Sequence, residues 1–229
     1  MAAVTLLIYH CFIFSWYFFL TYLIFTVTSK EPPVGVFLYG GQWKYLTVLN
    51  VVLQTIFYAV CFVSDLLMPV KGMRLAKCII FCRDLFFSVL AFPASTFVFL
   101  SFWALYSYDR ELVYPEGLDM IIPPWLNHAI HTAVFPLAVL EILTSPHRYP
   151  EKKNGLTFLG ICSVTYLSWI MWIYFVDGKW VYPFLGLLSP LGFVVFLLGS
   201  QALAASIYIT GDTLNYVIWG GEEQRKKNI

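Results

Sequence analysis

The sequence is short of charge. Only 12% of its 229 residues are Asp, Glu, Lys or Arg, while 60% are hydrophobic. A soluble domain carries about twice that charged fraction, so a water-soluble fold is excluded. Cysteines number five, an odd count, and give no disulfide framework. No N-x-Ser/Thr sequon occurs, nor G-x-S-x-G, H-E-x-x-H or C-x-x-C, so the usual hydrolase, zincin and redox signatures are missing. Histidines number four, too few for a membrane di-iron enzyme. The net charge is +1 and its basic residues sit in loops and the tail, which leaves no basic face for nucleic acid. The opening apolar run has no basic n-region or convincing small-residue cleavage site, and reads as a retained first span.

What the chain has is apolar length. Stretches near residues 4–27, 46–68, 85–106, 125–143, 156–176 and 184–208 each reach the roughly 20 residues that cross a bilayer. The expected fold class is an all-α membrane protein, a six-transmembrane-helix bundle over residues 1–210 followed by a short cytosolic tail, 211–229. Lysine and arginine set its orientation. Lys71, Arg74, Lys77 and Arg83, then Arg148, Lys152 and Lys153, then Arg225, Lys226 and Lys227 put ten of the fourteen basic residues on one side, expected to be cytosolic together with both termini. Trp43, Trp103, Trp125 and Trp180 then fall at the outer interface, as amphipathic rings prefer. Pro93 and Pro136 are expected to kink the third and fourth spans. Arg83 and Asp84 read as an interfacial helix start, and Glu141 as an inner-end partner for a cation.

Polar side chains inside a span are costly and mark either a functional site or interhelical hydrogen bonding. Thr47, Asn50, Gln54 and Tyr58 share one face of the second span, and Asn127, His128 and His131 cluster on the fourth. In the expected topology both spans start at the outer face. Thr47 and His131 then lie within roughly 9 Å of the Trp43 and Trp125 levels, at a rise of 1.5 Å per residue, and their side chains are able to meet. A hydroxyl beside an imidazole is the minimum set for nucleophilic acyl transfer. Ser95 and Thr96 share that depth and are candidates to line the same pocket, and Asn50 or Asn127 to hold the ring or donate to an oxyanion. Lys44 is a candidate partner for a substrate carboxylate, against the alternative of an interfacial lysine that snorkels. A zinc site on His128 and His131 would need a carboxylate, and Asp65 and Asp84 sit roughly 20 Å or more from that pair, so no metal site and no cofactor are expected.

Several segments also carry a resemblance. Trp43-Lys44-Tyr45-Leu46-Thr47, Leu53-Gln54-Thr55-Ile56-Phe57-Tyr58, Arg83-Asp84-Leu85, Ala91-Phe92-Pro93, Trp125-Leu126-Asn127-His128-Ala129 with His131-Thr132, and Trp180-Val181-Tyr182-Pro183 resemble the androgen-induced gene product family. The resemblance implies an atypical threonine hydrolase of the membrane acting on fatty acid esters of hydroxy fatty acids. Its nucleophile corresponds to Thr47 and its histidine to His131; a lipid substrate is expected to enter such a site from the bilayer. It also implies a place at the plasma membrane and a link to surface regulation of tissue factor pathway inhibitor; the alternative to a hydrolase is a non-enzymatic membrane scaffold or a regulator of that inhibitor. Lys226-Lys227-Asn228-Ile229 matches a dilysine retrieval signal, an address read by coat proteins and leading to the endoplasmic reticulum.

Overall fold

The computed structural model describes residues 3–30, 39–67 and 74–227, without the side chains of 27–30 and 221–227. Lys71 and the side chains of Lys30, Arg225, Lys226 and Lys227 therefore lie outside the described residues. Among those described, the regular elements are helical: α1 (Ala3–Lys30), α2 (Leu46–Leu67), α3 (Arg74–Phe86), a π turn (Phe87–Ala91), α4 (Phe92–Tyr108), α5 (Pro124–His131), α6 (Val134–Thr144), α7 (Lys152–Asp177) and α8 (Pro190–Lys227). Five helical stretches are long and apolar enough to cross a membrane, and α5 with α6, bent by 41°, makes a sixth if the pair is one span.

The two prolines act differently. Pro136 has no N–H for the Thr132 carbonyl, and the chain breaks between His131 and Val134, turning α6 away from α5. Pro93 lies inside a continuous helix, where the π turn Phe87–Ala91 before it takes up the missing N–H and Arg74–Tyr108 stays one span. The third span thus starts at Arg74, inside what the sequence suggested was a loop, and α8 passes residue 210 without a break.

α2 is the central helix, packed against α1, α3, α4 and α5. Along α1 the hydroxyls of Thr21 and Thr55 meet at 2.8 Å, and the Tyr17 and Tyr58 rings stack at 5.5 Å. Towards α4, Gln54 Nε2 donates to the Ala91 carbonyl at 2.9 Å and to Asn50 Oδ1 at 3.2 Å, and Ser95 Oγ donates to the same Oδ1 at 3.2 Å. Such bonds between membrane helices contribute about 0.6 kcal/mol each. At the far end of the bundle Asn215 on α8 exchanges two hydrogen bonds with the His147 backbone, and Trp219 Nε1 donates to the Ile142 carbonyl at 2.7 Å.

Arg83 and Asp84 are not an interfacial helix start. Both are buried, with Arg83 Nη2 2.7 Å from Asp84 Oδ1, because the helix continues a further two turns before them. Trp43 and Trp125 are about half exposed at one end of the bundle, whereas Trp180 stacks on Tyr174 at 4.0 Å and Trp103 packs beside His128.

Candidate active site

The start of α2 is pinned from three sides. Gly40 takes φ 86°, a left-handed turn open to glycine, and leads through a short 3-10 helix (Gly41–Lys44) into α2. The Leu46 N–H, which has no intrahelical acceptor, donates to the Tyr182 hydroxyl at 3.0 Å. The Tyr182 and Tyr166 hydroxyls meet at 2.9 Å, and Tyr166 donates to the Lys44 carbonyl at 3.0 Å. With Tyr166 donating to the carbonyl, Tyr182 must donate to Tyr166, so every member of the chain is satisfied. Neither tyrosine was singled out as a site residue from the sequence, for Tyr166 lies in an apolar helix without pattern and Tyr182 within a segment of the resemblance.

Thr47 follows one residue later, in the first turn of α2. Its Oγ1 lies 3.0 Å from His131 Nε2, across 84 residues of chain. The other ring nitrogen, Nδ1, faces two acceptors, Asn127 Oδ1 at 2.7 Å and the Asn127 carbonyl at 3.1 Å. Two oxygens on that side put the imidazole proton on Nδ1 and leave the lone pair of Nε2 towards the threonine hydroxyl. Phe102 stacks on the ring with centroids 3.5 Å apart and planes within 10°, and both His131 and Asn127 are buried. The imidazole is therefore fixed in plane, tautomer and direction.

Thr47 and His131 line a cavity of about 550 Å³, within the range of small-molecule pockets. Its walls are overwhelmingly apolar, with Leu53, Leu90, Phe97, Leu159, Leu167 and Phe196 among them. Other candidates lie elsewhere. Asn50, Gln54 and Ser95 are buried behind the wall in their own hydrogen-bond cluster, where Asn50 Nδ2 keeps no partner. Thr96 is also buried and its hydroxyl has no partner. His128 points away from the cavity, with Nδ1 2.9 Å from Thr132 Oγ1 and its ring exposed against Trp103. Lys44 is buried with its ammonium 5.6 Å from the Tyr45 ring centroid and outside the cavity lining, and burial lowers its pKa from the ordinary lysine value while Asp177 opposes the shift.

The FAR-17a/AIG1-like protein family model matches residues 5–216. The chain belongs to that family. Androgen-dependent TFPI-regulating protein of Homo sapiens is 48% identical to it over 220 residues, covering 96% of each chain. Androgen-induced gene 1 protein of Homo sapiens is 40% identical over 200 residues, 82% of this chain and 84% of that one. A membrane protein of Schizosaccharomyces pombe is 24% identical over 173 residues, 75% of this chain and 74% of its own. No solved structure matches. With the helices above, these relatives make this FAR-17a/AIG1-like chain a multi-pass membrane protein.

Proposed function

We propose that this chain is a membrane-embedded ester hydrolase with Thr47 as nucleophile and His131 as general base, cleaving fatty acid esters of hydroxy fatty acids. The observation that carries the reading is the Thr47 Oγ1 to His131 Nε2 contact of 3.0 Å, on a ring whose Nδ1 is held by Asn127, at the wall of an apolar cavity. A lipid ester suits that wall, and its substrate class comes from the family resemblance.

In the first half-reaction the Oγ1–H proton passes to Nε2 as the oxygen attacks the ester carbonyl. The Thr47 and Val48 N–H groups, in the first turn of α2, have no intrahelical carbonyl and lie at the positive end of the helix dipole. They are the oxyanion donors in this reading. Collapse of the tetrahedral intermediate breaks the bond to the hydroxy fatty acid, whose alkoxide oxygen takes the proton from Nε2. An acyl-threonine remains. Water then gives a proton to Nε2 and attacks the acyl carbonyl, and return of that proton to Oγ1 releases the fatty acid. Asn127 stays neutral throughout and serves as the orienting acceptor.

A membrane scaffold, or a regulator of surface tissue factor pathway inhibitor without catalysis, is the rival. It accounts for the Asn50–Gln54–Ser95 cluster as interhelical bonding and gives no role to a base aimed at a hydroxyl beside a cavity. Hydrolysis of such an ester by purified protein in lipid nanodiscs separates the two. Thr47→Ala and His131→Ala should each lower the rate by about two orders of magnitude or more at unchanged expression. Thr47→Ser should keep measurable activity. Equal rates for wild type and both alanine variants would leave the scaffold.

A further inference from the structure

A second convergence of polar side chains lies at the opposite end of the bundle, across the break between α5 and α6 from His131. His10 comes from α1, Cys61 and Asp65 from α2, Asp84 from α3, Glu141 from α6, and His147 from the connection to α7. All six are buried or nearly so, with His10 and Glu141 at 0% exposure and His147 at 2%. His10 Nδ1 lies 2.6 Å from Asp65 Oδ2 and His147 Nδ1 3.2 Å from Asp84 Oδ1. The opposite nitrogens both face one carboxylate, His10 Nε2 at 3.3 Å and His147 Nε2 at 3.1 Å from Glu141 Oε1.

A neutral imidazole has one N–H. If each ring donates from Nδ1 to its aspartate, each Nε2 presents a lone pair to a carboxylate oxygen, which calls for either a second proton on the ring or a metal ion between the two. A carboxylate behind each histidine is the arrangement that orients a metal-ligating ring. The ligand atoms of His10, Cys61 and Glu141 all fall within 4.8 Å of one another. Glu141 Oε2, fully buried, accepts no well-aligned hydrogen bond and lies 3.3 Å from His10 Nε2. In a tetrahedral zinc shell with bonds of about 2.0 Å the ligand atoms stand about 3.3 Å apart, close to the separations between the two rings and Glu141. Two extra protons, one on each ring, satisfy the nitrogens and the carboxylate but give Cys61 no part.

We propose that His10 Nε2, the Glu141 carboxylate and Cys61 Sγ form a buried site for a divalent transition-metal ion of the zinc type, with Asp65 orienting the His10 ring and His147 packed beside Glu141. Cys61 ligates as the thiolate, its proton leaving to solvent as the ion enters. The site ties α1, α2 and α6 together through three side chains of 0% exposure, which leaves a lipid substrate no path to the ion, so its role is structural. It departs from the expectation of no metal because that expectation weighed only His128 and His131 as histidine ligands.

Full-length protein purified in detergent without chelator should carry about one zinc per chain by elemental analysis. Cobalt exchanged into it should give a thiolate-to-metal absorption that Cys61→Ser abolishes. Cys61→Ser and Glu141→Gln should lose the ion, whereas Cys162→Ser and Thr47→Ala should keep it. If the two ligand variants fail to fold, zinc content and the cobalt spectrum of the wild type decide alone. Wild-type protein without metal after zinc addition and desalting overturns the proposal in favour of two protonated rings, as does equal metal in wild type and both folded ligand variants. Neither result bears on the Thr47–His131 pair, whose activity is not the readout.

Discussion

Asn127→Leu is the perturbation that separates orientation of the base from its chemistry. The substitution keeps volume and burial at the position but removes the side-chain oxygen 2.7 Å from His131 Nδ1. Two constraints survive it: the Asn127 backbone carbonyl at 3.1 Å from the same nitrogen, and Phe102 stacked at 3.5 Å on the ring. Nδ1–H therefore keeps an acceptor, the tautomer is retained, and the loss is one hydrogen bond of about 0.5–1.5 kcal/mol. If that energy is expressed fully in the transition state, kcat falls by about two- to twelve-fold, with KM little changed. Loss of the base in His131→Ala should cost about 10² to 10⁴. Initial rates of ester hydrolysis in nanodiscs, measured over a range of substrate, give both parameters. An Asn127→Leu enzyme as inactive as His131→Ala, at normal expression and melting temperature, would refute the claim that the backbone acceptor and Phe102 hold the ring.

Tyr182→Phe removes the acceptor of the Leu46 N–H and the donor to Tyr166. It should lower stability by about 1–3 kcal/mol and reduce kcat as well, since the first turn of α2 carries both the proposed nucleophile and the proposed oxyanion donors; unchanged melting and kinetics would contradict the pinning. For topology, a glycosylation sequon engineered near Glu116 should be modified and one within 145–155 should not, and the reverse pattern would invert the orientation. Replacing Lys226 and Lys227 together by Ala should raise the surface-biotinylated fraction if the tail is read by coat proteins. Equal fractions would favour the plasma membrane as the resting address.

The sequence carried the helical spans because a bilayer demands apolar length, and that demand is local. It carried Thr47 and His131 as a pair because both sit a few residues inside spans that share a depth, and because both fall in segments of the family resemblance. The orienting role of Asn127 follows from the same logic, four residues before His131 on one helix face. What it did not carry depends on helix rotation. Asn50, Gln54 and Ser95 have the right depth but turn behind the cavity wall, and His128 turns out of the bundle, distinctions that spacing on one helix cannot make when the partner helix is unknown. The cluster at the other end was missed for a further reason. Asp65, Arg83, Asp84 and Glu141 stand near span ends, where charge ordinarily reports the membrane surface, and His10 lies alone in an apolar run. Only tertiary packing brings residues 55 and 131 positions apart to one point.

The central claim is that Thr47 is the atom that attacks, and the most direct measurement is the position of a covalent adduct. Purified protein treated with a fluorophosphonate probe, digested and sequenced by mass spectrometry should carry the phosphonyl group on Thr47 Oγ1. Labelling should vanish in Thr47→Ala and fall steeply in His131→Ala. An adduct on another residue, or equal labelling of wild type and Thr47→Ala, would contradict the account.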